Sequence, residues 1–297
     1  MGAAAGAART PGAAKSIALA ALAVGACSIA FAPIFVRVAE TGPTASAFWR
    51  TALAVPFLWG WALATRRTAA DPAGVFTTPM LLAGLFFAGD LAVWHFSILF
   101  TSVANSTLLA NLAPIFVTVG AWVLFGQRVT RTFLAGMAIA MAGAFVLVGP
   151  SFGAEGRQLL GDALGVVTAM FYGAYMLAVK HLREERSTAQ IMAVSTTVTA
   201  AILLPLALAS GETMIPATTA GWATLFGLAL VCQTVGQSLI AYAMAHLPAS
   251  FSAVSLLLQP AMATLYAWAI LGERAGAVQL AGGAVILLGI WLARRGS

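Results

Sequence analysis

Ten stretches of roughly 20 mostly apolar residues follow one another along this chain, at about 17–38, 44–65, 79–101, 104–125, 131–149, 159–182, 188–209, 219–246, 250–271 and 277–294. A stretch of that length and character crosses a bilayer as a helix, because only a helix satisfies all its backbone hydrogen bonds within one segment. The segments do not alternate apolar and polar residues over about ten positions, so barrel strands are excluded. The 297 residues are 61% hydrophobic and 8% charged. A soluble domain carries about 25% charged residues, so this chain has too little polar surface to coat a globule. Lipid is the expected solvent for most of it.

The net charge of +6 does not mark a nucleic-acid partner, because the basic residues punctuate the ends of apolar segments. With the N-terminus inside, one face receives Arg9, Lys15, Arg66, Arg67, Arg128, Arg131, Lys180, Arg183, Arg186, Arg294 and Arg295. The other receives Arg37, Arg157 and Arg274, and Arg50 is left within a span. That asymmetry predicts both termini in the cytoplasm. Cys27 and Cys232 each fall inside an apolar stretch, where cysteine behaves as a small hydrophobe. No cofactor or metal motif is present.

The chain repeats itself. Shifted by 146 residues, Pro114 falls on Pro260, Thr118 on Thr264, Trp122 on Trp268, Gly126 on Gly272, Arg128 on Arg274, Gly136 on Gly282 and Gly143 on Gly289, without a gap. Each half holds five spans. An odd number obliges the second half to enter the membrane from the opposite side, which is the inverted-repeat plan of many secondary transporters. The expected fold is an all-α integral membrane protein, with ten transmembrane helices as two inverted five-helix repeats around a central cavity. Its divisions are a flexible N-terminus (1–16), a first module (17–149), a connecting loop (150–158), a second module (159–294) and a tail (295–297).

The two copies "SVANSTLLANLAPIFVTVGAWVLFGQRVTRTFLAGMAIAMAGAFVLV" and "LPASFSAVSLLLQPAMATLYAWAILGERAGAVQLAGGAVILLGIWLA" resemble the EamA module of the drug/metabolite transporter superfamily, as does "AFWRTALAVPFL" with its Arg50. Gln127 stands in the first copy where the second has Glu273. The resemblance implies export of small metabolites across a bacterial inner membrane. Within the superfamily the chain is similar to amino-acid exporters, including the aromatic amino-acid branch.

Candidate cavity residues are the polar and aromatic groups inside spans. An ionised carboxylate at the bilayer centre costs ~3 kcal/mol or more, so Asp90 faces a wet cavity, is protonated, or pairs between helices. Arg50 is its candidate ion-pair partner. Trp94 and Ser97 share the helical face of Asp90, whereas His95 points roughly 140° away at ~100° per residue. His95 is a candidate proton relay or a packed core residue. Asn105, Asn111, Tyr172, Tyr175, Gln233, Gln237 and Gln259 complete the set, serving either a shared pocket or interhelical bonding. Pro114 and Pro260, repeat-equivalent, are candidate hinges or static kinks. The expected partners are a small-molecule substrate, the bilayer, and a proton or solute counter-gradient. No G-x-S-x-G, H-E-x-x-H or P-loop supports an enzyme, and no ring of charges supports a channel.

Overall fold

The computed structural model describes residues 11–65, 76–149, 156–272 and 276–297. Arg9 and the start of the N-terminal segment, Arg66, Arg67, residues 150–155, Glu273 and Arg274 lie outside the described residues. Among the described residues all regular structure is helical. The first half contains α1 (Pro11–Ile29) and α2 (Ala32–Val38), α3 (Pro43–Ala52) and α4 (Val55–Ala64), α5 (Thr78–Ile98), α6 (Val103–Ala110) and α7 (Ala113–Phe125), and α8 (Arg131–Val148). The second contains α9 (Gly156–Leu182), α10 (Thr188–Ala209), α11 (Thr219–Gly227), a π-helical segment (Leu228–Gln237) running into α12 (Ser238–Met244), α13 (Ala249–Ser255) and α14 (Leu258–Leu271), and α15 (Ala277–Arg295). Residues 156–158, expected in the connecting loop, are the first turn of α9, and Arg295 ends α15 rather than beginning a tail.

Among the described residues nine helices are long and apolar enough to cross a membrane. The tenth expected span, 44–65, is α3 and α4 in succession. Arg50 lowers its mean hydropathy; the break before Pro56 does not set it apart, because three spans broken before a proline pass the same test. Four spans break just before a proline. The breaks fall at Ala30–Phe31 before Pro33, Leu53–Ala54 before Pro56, Asn111–Leu112 before Pro114, and Leu256–Leu257 before Pro260. Each proline then sits in the first turn of the following helix, where its missing N–H costs nothing. Pro205, by contrast, lies within an unbroken α10.

The inversion is visible in one contact. A Cβ on Gly136 would strike the backbone of Ala293 and Gly289, and a Cβ on Gly143 would meet Ile286 N at 2.6 Å and Gly282 O at 2.8 Å. Numbers rise along α8 while they fall along α15, so the two helices are antiparallel. Gly136 and Gly282 are repeat mates, as are Gly143 and Gly289. The contact of Gly136 with Gly289 therefore maps onto the contact of Gly282 with Gly143, as a two-fold axis between the halves requires. The remaining packing obeys the same exchange. α5 lies on α9, and its counterparts, the π segment and α12, lie on α1; α6 and α7 lie on α9, and α13 and α14 lie on α1. The repeat-equivalent Gly126 (φ 64°) and Gly272 (φ 70°) both end their helices in the left-handed conformation.

The two ends of the bundle are tied differently. At one end, carboxylates from two loops cap helices across the bundle. Thr44 Oγ1 and the Ala45 N–H donate to Glu212 at 3.0 Å each, at the start of α3. The Ala217 and Thr218 N–H groups donate to Glu40 Oε2 at 2.7 and 3.1 Å at the start of α11, and the Thr218 hydroxyl donates to Glu40 as well. Negative groups at helix N-termini are favourable partners of the helix dipole. At the opposite end Lys180 Nζ donates to the Met244 and Leu247 carbonyls at 2.8 and 3.3 Å.

Two outcomes follow from this packing. Gly136→Val places a branched side chain against backbone that cannot yield, and is expected to lower stability by about 1–3 kcal/mol or more. Thermal unfolding in detergent measures this, and an unchanged melting temperature would refute the close seam. The Thr218 hydroxyl and backbone, with Ala217, hold the Glu40 carboxyl below its ordinary range. A carboxyl lowered on folding stabilises above its unfolded value, about 4.3, and loses that stabilisation as pH falls through the lower folded value. The difference in melting temperature between wild type and Glu40→Gln is therefore expected to be present at about pH 6 and to vanish towards about pH 3; a difference that persists in acid would show that Glu40 does not act as an ionised cap.

Candidate functional site

The proline breaks cannot be left in lipid, because each frees backbone groups that hydrocarbon cannot satisfy. Three of the four border one cavity of about 240 Å³ near mid-bundle, lined from both halves of the chain. The α1–α2 break contributes Ile29, Ala30 and Pro33; α6 contributes Thr107, Ala110 and, at its end, Asn111; the start of α14 contributes Gln259 and Pro260. α5 lays Phe87, Asp90, Leu91, Trp94 and His95 along one wall, with Arg50 of α3, Tyr172 of α9 and Gln237 of the π segment around it.

Asp90 is half-buried and faces this space. No salt bridge joins it to Arg50, which corrects the ion pair expected from sequence. Arg50 Nε donates instead to Gln233 Oε1 at 3.1 Å, and Gln233 Nε2 donates to Thr196 Oγ1 at 3.1 Å. The guanidinium carbon also lies 5.8 Å from the centre of the Phe87 ring. The reason is reach: α3 packs against α10 and the π segment, so the nearest acceptor for Arg50 comes from there.

Trp94 lines the wall one turn beyond Asp90, and His95 packs edge-on against it with ring centres 5.0 Å apart. His95 reaches the cavity despite its helical angle, because the cavity wraps around more than one face of α5. Its Nδ1 is nevertheless held by the Leu91 carbonyl within its own helix. Ser97, expected on the face of Asp90, lies beyond the cavity and donates to the Gly161 carbonyl of α9 at 2.7 Å. Tyr172 and Gln237 line the cavity from α9 and the π segment.

Three residues expected at the cavity, Asn105, Tyr175 and Gln233, lie outside its lining, as does the candidate hinge Pro114. Asn105 is fully buried at the start of α6, with its Nδ2 3.4 Å from Thr101 Oγ1. Tyr175 stacks on Phe87 with ring centres 4.7 Å apart and turns its hydroxyl to the Met192 sulfur. Gln233 is fully buried in the Arg50 relay, and Pro114 is buried behind the wall. Thr107 belongs to the lining although its sequence signal was passed over: it precedes Asn111 by one helical turn and so shares its face. Among the described residues no cluster of His, Cys, Asp and Glu is able to hold a metal ion, and both cysteines are free.

Known proteins share this plan. The EamA-like transporter family matches residues 16–149 and 159–295, one copy per half. A "Probable terminal-alkyne amino-acid exporter" of Streptantibioticus cattleyicolor is 30% identical over 191 residues, which is 64% of each chain and so less than two thirds of that relative's length. An "Uncharacterized transporter" of Archaeoglobus fulgidus is 27% identical over 87% of this chain and 91% of its own. The "Pseudopaline exporter CntI" of Pseudomonas aeruginosa strain UCBPP-PA14 is 25% identical over 71% of this chain and 72% of its own. A solved crystal structure superposes with a TM-score of 0.80, covering 96% of this chain and 98% of that one, at 18% identity. At that identity the likeness shows the fold alone.

The Arg50–Gln233–Thr196 relay ties α3, the π segment and α10 together around a buried charge. Gln233→Leu removes a hydrogen bond to a charged group, so a loss of about 1.5–3 kcal/mol is expected, with Thr196→Val costing less. Denaturation in detergent micelles tests the order; a Gln233→Leu protein as stable as wild type would show that Arg50 does not depend on the relay.

Proposed function

The chain belongs to the EamA-like transporter family, and from that premise we propose that it is a secondary transporter exporting small metabolites of the amino-acid class, aromatic or neutral, from the bacterial cytoplasm across the inner membrane by alternating access. The observation that carries this reading is Asp90. It is a carboxylate deep within a span, without a salt bridge, facing a cavity that both halves of the chain enclose. Such an acid is costly to keep and needs a cationic group or a proton to justify it. Trp94 beside it offers an aromatic face to an ammonium group or to an apolar side chain.

Size supports a small solute. Pockets that bury drug-sized ligands measure about 300–1,000 Å³, and this cavity, at about 240 Å³, is smaller. The export direction is supported by the names of the two exporter relatives, and the cytoplasmic placement of both termini by the distribution of Lys and Arg. A proton or solute counter-gradient supplies the driving force, with Asp90 as the coupling group. Pro114 and Pro260, at corresponding places in the two halves, act as hinges by which the halves exchange conformations.

The test is uptake of labelled phenylalanine, tryptophan and threonine by liposomes holding the purified protein, with and without a pH gradient. Saturable, gradient-sensitive uptake is expected. Asp90→Asn is expected to reduce it by at least about tenfold, the loss of one charge-assisted contact, while the protein still elutes as a folded particle. In the same assay Pro114→Ala with Pro260→Ala is expected to slow turnover without weakening half-saturation. Full-rate transport by Asp90→Asn would remove Asp90 from the mechanism.

A further inference from the structure

At the end of the bundle where α7 and α15 finish and α8 begins, the cations fall into two groups. Lys180 is committed to the Met244 and Leu247 carbonyls, and Arg183 donates from Nη1 to the Arg186 carbonyl. Arg128 and Arg295 have no carboxylate and no hydrogen-bond partner among the described residues. Both line a second cavity, of about 550 Å³ against about 240 Å³ for the one in mid-bundle. Two unpaired guanidinium groups that share one recess suit an anion, and the planar fork of arginine matches the oxygens of a phosphate in pairs.

The recess is preformed. Thr130 accepts from the Phe133 N–H at 3.1 Å, and its hydroxyl donates to the Gly296 carbonyl at 2.7 Å, which ties the start of α8 to the end of α15. A Cβ on Gly296 would strike Phe133 N, so the two segments touch backbone to backbone. Thr132 lines the recess from α8, and Pro248 and Ser250 close it from the start of α13. The lining contains no Asp or Glu. Its one acid is the carboxylate of the last residue, Ser297, so two positive charges face one negative.

Topology alone does not account for this corner. A bias of positive charge to one side requires only that cations lie on that side, not that they share a recess. Under the 146-residue shift Arg295 corresponds to Gly149, Arg294 to Val148 and Arg131 to Ala277. The equivalent corner at the other end of the α8–α15 seam therefore lacks these cations. The border of the recess is apolar and faces lipid. The Arg295 guanidinium carbon lies 3.8 Å from the centre of the Trp291 ring, and Trp291 is an exposed side chain of α15. Val123 and Leu124, at the end of α7 just before Gln127 and Arg128, are exposed too. A free phosphate has no use for such a border, whereas the acyl chains of a phospholipid lie along it. Basic pockets between spanning helices are suited to acidic lipid headgroups.

We infer that this corner binds an anionic phospholipid, its phosphate held by Arg128 and Arg295 and its acyl chains along the exposed sides of α7 and α15. The site is separate from the central cavity and does not depend on what that cavity carries.

The experiment uses the full-length protein in detergent micelles. Dioctanoyl phosphatidylglycerol, dioctanoyl phosphatidylcholine and glycerol 3-phosphate are titrated in, and bound ligand is counted by native mass spectrometry. Wild type is expected to hold one phosphatidylglycerol at least about tenfold more tightly than phosphatidylcholine, and glycerol 3-phosphate at equal concentration is expected not to displace it. Arg128→Gln and Arg295→Gln are each expected to weaken binding about fivefold, the worth of one basic residue beside an anionic lipid. Arg294→Gln, exposed next to the recess but outside its lining, is expected to leave binding unchanged. Melting temperatures without lipid, expected to match wild type because all three side chains are exposed, show that the variants fold. If Arg294→Gln weakens binding as much as Arg295→Gln, the attraction is diffuse surface charge and the site is overturned. Binding of phosphatidylcholine as tight as that of phosphatidylglycerol, no binding of either, or full binding by both lining variants overturns it as well. Displacement by glycerol 3-phosphate at equal concentration would make this a site for soluble phosphates and overturn the lipid assignment.

Discussion

Hydrocarbon offers no hydrogen bonds, and that constraint organises the rest of this structure. Within the bilayer every backbone and side-chain polar group needs a partner from the protein itself or from whatever occupies an internal cavity. Across the bundle the polar side chains meet that demand by bonding between helices. Thr199 Oγ1 donates to the Gly84 carbonyl at 2.9 Å, Ser97 to Gly161, Thr101 to Asp162, and Trp59 Nε1 to Thr197 Oγ1 at 3.0 Å. Gln233 serves two helices at once, accepting from Arg50 and donating to Thr196. The proline breaks obey the same constraint, since three of the four open onto the cavity rather than onto lipid.

The same constraint shapes the packing of the two halves. Lipid is as apolar as leucine, so helices associate through close contact rather than through hydrophobic burial. The glycines of α8 and α15 supply it, letting backbone meet backbone along the whole seam. Because the mated glycines meet crosswise, this seam is itself the two-fold relation between the halves. The lipid-facing surface stays apolar, with Trp122 and Trp268 both well exposed at repeat-equivalent positions.

How much of this was legible in the sequence depended on whether the signal was one of length, of symmetry or of orientation. Hydropathy over a span is a length signal, and it located the helices, α3–α4 with its buried Arg50 included. The repeat is a symmetry signal, and the antiparallel seam of α8 with α15 bears it out. Orientation was the weak point. A helix that is apolar on every side gives no amphipathic stripe, so nothing in the sequence says which side looks into a cavity and which into a neighbour. Tyr175 and Gln233 turned into helix interfaces for that reason, while Tyr172 and Gln237 turned to the cavity. Ser97 shares the face of Asp90 but lies beyond the level at which the cavity ends. Arg50 and Asp90, opposite charges in adjacent spans, looked like a pair; the nearer acceptor on the π segment could not be read from spacing.

The scaffold is symmetric but the chemistry on it is not. Under the 146-residue shift Asn111 corresponds to Leu257 and Gln259 to Ala113, so each half carries a polar group where the other carries an apolar one. The charged pair, Arg50 and Asp90, comes entirely from the first half. A fully symmetric cavity would hold two carboxylates and two guanidinium groups within about 240 Å³. Like charges that close would repel and shift one another's protonation, and each added charge would carry its own cost of removal from water. An asymmetric site in a symmetric frame avoids that conflict. The frame keeps its two-fold relation while the acid and the base of the cavity wall come from one half alone.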